Sequence, residues 1–237
     1  MKEKPKTFRV HEVRAILDGS KTQTRWAVKH CTQNSAASRP YFPGGYKQGK
    51  FVEPTDCPYG QPGDRLWVRE TWLPTDCAAY QFQCKPSEIK PTNAHVYYRA
   101  DDGKLGGLEL HPDYPNGVYE WKPSIFMLRW ASRITLEITD VRVERLQDIS
   151  EEDAMAEGAF FTDYGKNGYG QQLNGWSMTA TSSHAECLAT ARHAFASYIN
   201  QIHGGKRWNY WYSWPDKYPM PIWEQSPWVW VVSFRKI

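Results

Sequence analysis

Several kinds of chemistry are excluded by what this 237-residue chain has little of. Its five cysteines, at positions 31, 57, 77, 84 and 187, are odd in number and form no Cys-x-x-Cys pair, so neither a zinc ribbon nor a complete disulfide framework is expected. His30, Cys31, Cys57, Cys77, Cys84 and His95 match no compact zinc spacing, and no metal site is assigned. No stretch approaches the roughly 18 apolar residues of a membrane helix, and the charged start Lys2, Glu3, Lys4, Lys6 lacks the apolar segment of a secretion signal. The expectation is a cytoplasmic protein without a membrane partner or an obligate protein partner. A Ser-His-Asp motif, a phosphate-binding glycine loop, a paired nuclease carboxylate motif, a fixed-period repeat and a low-complexity tract are all missing. With 29 Lys and Arg against 26 Asp and Glu the net charge is only +3, so affinity for nucleic acid would have to be local.

Local asymmetry is present. Residues 1–50 hold 11 basic against 3 acidic side chains, whereas residues 137–157 hold 2 against 8, so the two regions should attract each other or share a cleft. Twelve Trp and fourteen Tyr are also abundant. They concentrate between residues 67 and 130 and after 207, in stretches that otherwise read as loops. The segment 206–214 alternates cations with rings and reads as a single-strand stacking platform or as the core of an insertion.

Regular elements can be placed between these stretches. Val10, Val13, Ile16 and Leu17 recur at helical spacing, and Gly19 stands where a left-handed cap ends the helix. Pro62-Gly63-Asp64 introduces a strand over Arg65–Thr71, with Leu66 and Val68 on one face. From Arg133 to Arg145 the alternation changes phase at Thr139-Asp140, which predicts a bulge or a tight turn. Ser150 caps a short helix closed by Gly158, a longer helix is predicted over Ser183–His203, and Trp228–Phe234 reads as a strand apolar on both faces. Residues 159–182 read as a loop.

The segment after the first helix, Ser20-Lys21-Thr22-Gln23-Thr24-Arg25, puts an amine, hydroxyls and a guanidinium side by side. A lysine acts as a base only where burial or a neighbouring cation disfavours its charged form, and a threonine attacks a carbonyl only with such a base beside it. Lys21 and Thr24 supply both partners; the same residues also suit a solvated polar turn. Glu157 stands in the last turn of the short helix, where the negative helix end disfavours a carboxylate. Partly buried, it would exchange protons near neutrality; otherwise it is a helix former on a wet face. Arg25, Arg69 and Glu70 are candidates for holding a base or a phosphate, or for surface ion pairs.

The order of four blocks resembles the ASCH domain family: the helix followed by SKTQTR, the GDRLWV strand, the ITLEITDVRVERLQDISEEDAMAEG block and the closing WVWVVSFRKI strand. The resemblance covers about residues 7–25, 62–72, 133–158 and 227–237, and the long aromatic-rich form is similar to those of tailed phages and prophages. It implies an α+β, PUA-like fold: a small mixed β-barrel flanked by helices, one domain over 1–237 with insertions at about 26–61, 73–132 and 159–226. Small members are N4-acetylcytidine amidohydrolases that use no cofactor, which implies catalytic roles for Lys21, Thr24 and Glu157. Here Arg25 follows Thr24 directly, one position earlier than in those enzymes. The implied partner is a modified cytidine nucleoside or a single-stranded nucleic acid. The alternatives are a module that binds a modified base without turnover and a metal-dependent ribonuclease. A strict pleat through residues 21–24 would put Lys21 and Thr24 on opposite faces, so the acylated-threonine mechanism requires a tight turn there.

Overall fold

The computed structural model describes residues 1–29, 40–42, 50–74, 96–102, 121–203 and 221–237. Their elements run β1 (Glu3–Thr7), α1 (Val10–Asp18), β2 (Gln23–Ala27), β3 (Tyr41–Phe42), β4 (Lys50–Phe51), β5 (Arg65–Arg69), β6 (Trp72–Pro74), β7 (Val96–Tyr98) and α2 (Arg99–Asp102). There follow β8 (Thr135–Arg145), α3 (Glu151–Ala156), β9 (Phe160–Lys166), β10 (Gln172–Ser177), α4 (Ala191–Ile202), α5 (Ile222–Gln225) and β11 (Trp228–Lys236). The class is α+β, and no helix among the described residues is long and apolar enough to cross a membrane.

Five strands form the main sheet in the order β1-β5-β8-β11-β2, parallel only between β1 and β5. The closing strand organises it. Trp228, Trp230, Val232 and Phe234 point into one core layer with Val13 and Ile16 of α1, while Val229 and Val231 point into a second layer with Ala154 of α3 and Phe195 of α4. Apolar residues at consecutive positions thus serve two faces, as a strand covered on both sides requires. The predicted phase change is a bulge: Ser233 pairs with Asp140 and Phe234 with Ile138, leaving Thr139 as the extra residue.

Backbone pairing does not close this sheet into a barrel among the described residues, since β1 and β2 remain its two edges. Side chains fill the gap. Phe8, one residue past β1, lies 6.4 Å from the Trp26 ring of β2, and the Lys6 amine of β1 sits 3.6 Å from the same ring.

Two expectations are corrected by the structure. The helix predicted over Ser183–His203 begins only at Ala191, because Leu188 exchanges both backbone hydrogen bonds with Trp176 and Thr190 caps the helix by accepting from His193 N–H. Part of the predicted 159–182 loop is the β9–β10 hairpin, turned at Asn167, whose side-chain oxygen accepts from the Tyr169 and Gln171 amides. The 206–214 segment, His30, Cys31, Cys77, Cys84 and His95 lie outside the described residues.

Candidate active site

β2 is an edge strand, and the residues leading into it are held between two helices. Lys21 N–H donates to Ala15 O at the end of α1 (2.8 Å), and Thr22 N–H donates to Ala156 O at the end of α3 (2.9 Å). Lys21 and Glu157 therefore face each other as an antiparallel bridge, although 136 positions separate them. The approach depends on Gly158. Its φ of +101° is left-handed, and a Cβ there would lie 3.3 Å from Ala15 Cβ and 3.6 Å from Lys21 Cβ.

The Lys21 ammonium donates to Glu157 Oε2 and to the Glu157 backbone carbonyl, both at 2.8 Å. The second bond satisfies a carbonyl that the helix end leaves free. Glu157 Oε1 accepts from Arg25 Nη1 at 3.0 Å, so both oxygens of the carboxylate meet cations. This answers the anomaly of an acid at a negative helix end: two positive charges from the β2 segment outweigh the helix dipole. Glu12 Oε1 of α1 stands 3.8 Å from the same ammonium. The side chains of Lys21, Arg25 and Glu157 are 1%, 1% and 4% exposed.

Arg25 spreads further. Its Nη2 lies 2.8 Å from Asp153 Oδ2 and 3.4 Å from Glu144 Oε2, and Arg142 also pairs with both of those acids. Burial raises the Asp153 carboxyl, but its contacts with Arg142, Gln23 and Arg25 outweigh that, so it sits below the ordinary carboxylate value. The basic N-terminal region and the acidic 137–157 region thus do meet, and they do so around Arg25. Asp153, Glu144, Arg142 and Glu12 were missed by sequence reasoning, yet Asp153 had a signal. It lies four residues before Glu157, so two like charges share one helix face, an arrangement that calls for a cation between them.

Thr24 is placed differently. It pairs directly with Val232, whose side chain is in the α1-side core layer, whereas Arg25 pairs with Val231 of the opposite layer. The segment is extended rather than tightly turned, so the pleat puts Thr24 on the face away from Arg25, and no hydrogen bond links its hydroxyl to Lys21 or Glu157. Arg69 and Glu70 are not brought to the cluster either. Arg69 ends β5 and Glu70 follows it, three strands from β2. Glu70 is 2% exposed and is held by both arms of the Arg133 fork at 2.9 and 3.1 Å, while Arg69 Nη1 donates to Ile125 O.

Beside Lys21, His11 Nε2 and the Tyr198 hydroxyl are 2.9 Å apart and join α1 to α4. Burial pushes His11 below its ordinary value and Tyr198 above its own. Tyr198 also lines a cleft of about 80 Å³ between β10 and α4, with Trp176, Met178, Thr181 and Gln201 among its walls. Comparison of the chain with protein-family models, with curated proteins and with solved structures found no match.

Proposed function

We propose that the protein is an amidohydrolase of the ASCH type that removes the acyl group from N4-acetylcytidine or a related N4-modified cytosine, on a curled, PUA-like sheet whose edges meet through side chains. The single observation that carries this reading is the buried Lys21–Glu157 contact at 2.8 Å. An amine and a carboxyl sharing one proton in a dry setting are a base and an acid in one device. The Glu157 carboxylate takes a proton from the attacking water and the Lys21 ammonium gives one to the departing N4 nitrogen; the carbon–nitrogen bond breaks, acetic acid and cytidine leave, and Glu157 returns its proton to Lys21 across their contact. Arg25, itself held by Asp153 and Glu144, fixes Glu157, and the three act as positioning residues.

Water is the nucleophile in this scheme. The pleat that turns Thr24 into the α1-side core layer and the absence of a hydrogen bond to Lys21 favour it over an acylated threonine. Thr24→Val should retain most of the turnover and give no acetyl adduct by mass spectrometry; loss of activity together with an adduct at Thr24 in the wild type would restore threonine to the central role. A second reading, a module that holds the modified base without cleaving it, is favoured by one observation: Lys21 and Glu157 saturate each other and are almost fully enclosed. Incubation with N4-acetylcytidine followed by chromatography separates the two, because only the enzyme releases cytidine.

A further inference from the structure

The enclosed Lys21–Glu157 pair has a neighbour with room in it. Trp176 and Ser177 of β10 and Ser197, Tyr198 and Gln201 of α4 are walls of the cleft of about 80 Å³. The 181–188 segment completes it, tied to β10 where Leu188 and Trp176 exchange two backbone hydrogen bonds.

Three features of these walls define an occupant. Size is the first: a bound water takes about 10–15 Å³ of such a space, so the cleft holds about six, the bulk of one six-membered ring. Charge is the second. No lysine or arginine stands among the described walls, and the carboxylate there, Glu186, accepts from the Ser182 hydroxyl at 2.7 Å, so nothing favours a phosphate or another anion. The third is hydrogen bonding. Ser177 is 6% exposed and its hydroxyl has no partner among the described residues, a costly state that a ligand with a polar edge relieves. Trp176, met edge-on by Phe161 at 5.5 Å, supplies a fixed aromatic wall. Tyr198 joins the cleft to the pair. It lines the cleft, while its hydroxyl, bonded to His11, is within electrostatic reach of Glu12 and Glu157.

We propose that the β10–α4 cleft is a binding site for one uncharged nitrogen heterocycle, with Trp176 against the ring, Ser177 and Gln201 on its hydrogen-bonding edges, and Tyr198 at the end that faces the Lys21–Glu157 pair. β10, α4 and the 181–188 segment lie outside the residues that carry the ASCH resemblance, which therefore assigns nothing here. That the ring is a cytosine rests on the amidohydrolase reading; that a neutral ring binds here does not. With the base in the cleft, its N4 substituent extends past the Tyr198 hydroxyl toward Glu157, and the sugar, for which the cleft has no room, stays outside.

The test is calorimetric titration of the full chain with cytosine and with 5-carboxycytosine, the same ring carrying a negative charge. Cytosine should bind, and the carboxylate should bind far more weakly. Ser177→Ala should weaken cytosine about fivefold, as for one lost hydrogen bond, while the free protein melts higher because the unpaired hydroxyl is gone. A serine with only a structural role would not move the two readouts in opposite directions. Ser197→Leu, at a half-buried position of α4, should fill the cleft and abolish cytosine binding. A wild type that does not bind cytosine, equal binding of the two rings, or unchanged cytosine affinity in both variants would overturn the proposal. The half-buried Ser197 keeps the test decisive if Ser177→Ala does not fold. Turnover of N4-acetylcytidine separates the two readings. Cytosine binding with these dependences but without cytidine release would sink the amidohydrolase reading alone, and release undiminished in Ser197→Leu would sink the cleft alone.

Discussion

The two ends of β2 hold lysines in opposite circumstances. At the entrance, Lys21 is enclosed and meets a carboxylate, a carbonyl and, farther off, a second acid. At the exit, Lys6 reaches across from β1 and meets two aromatic rings and another lysine. Both amines have lost water, yet only the first has a carboxylate in contact; Glu12 acts on Lys6 from farther off. A buried charge without a counterion is costly, whereas a ring face returns only part of that cost. Lys21 is thus compensated by direct contact, and Lys6 by ring faces and a more distant acid. Lys21 needs no outside group to be stable, so its chemistry is that of a proton exchanged with Glu157; Lys6 gains less from its surroundings, and its charged form is held at a cost.

The largest effect should come from removing the shared acid. Glu157→Ala leaves Lys21 and Arg25 buried side by side with no carboxylate between them, and urea denaturation should show a loss of about 3–5 kcal/mol. Lys21→Met removes charge and leaves Glu157 paired with Arg25, so its loss should be smaller; equal losses would show that the two cations do not share Glu157 as described. Next in size is Arg25→Lys. One ammonium cannot reach Glu157, Asp153 and Glu144 together, and a loss of about 1–3 kcal/mol is expected from the unpaired acids. Gly158→Ala follows. Its left-handed φ costs about 1–2 kcal/mol for an L residue, and the crowding against Ala15 adds to this while prising α3 from Lys21. Wild-type stability in that variant would mean that the bridge tolerates movement.

The smallest effect sharpens the other half of the comparison. Lys6 is held at about 8 in the folded protein, below the ordinary lysine value of 10.5. Between about pH 8 and 10.5 the unfolded chain binds a proton that the folded one has released, so this group makes stability rise with pH through that window. Denaturation of the wild type and of Lys6→Met at pH 7 and pH 10 should therefore show the wild type gaining relative to the variant. A relative loss would mean that the rings stabilise the charged amine more than burial disfavours it.

Much of the scaffold was legible in the sequence because local signals agreed with the tertiary demand. The α1 stripe, Ser150, Gly19 and the two-faced run of β11 each specify a local conformation that the core then uses. Thr139 was legible for the same reason: a period-2 pattern that changes phase leaves one residue over. The late start of α4 was not legible, since the apolar stripe continues through Leu188 and only its long-range pairing with Trp176 removes that residue from the helix. The hairpin at β9–β10 had a visible turn in Asn167-Gly168, but β9 is largely exposed on both faces, and the burial of β10 comes from long-range packing rather than from a clear alternation. At the site, Lys21 and Glu157 stood out because each is chemically out of place alone. Arg25 was picked out as a guanidinium for a base or a phosphate, but nothing local reveals that an edge-strand arginine will face three acids contributed by β8 and the α3 segment. Thr24 was chosen for its chemistry, and its orientation depended on whether residues 21–24 turned or stayed extended.

Catalysis here turns on whether the Lys21–Glu157 pair transfers protons during amide cleavage. The decisive measurement is the rate of cytidine formation from N4-acetylcytidine, presented both as the nucleoside and within a short strand, by the wild type and by Glu157→Gln. The wild type should release cytidine, and the variant, folded by the same denaturation criterion, should be slower by about 10²–10⁴-fold, as for loss of a general base. A folded wild type that releases no cytidine from either form, or a Glu157→Gln variant as fast as the wild type, would contradict it.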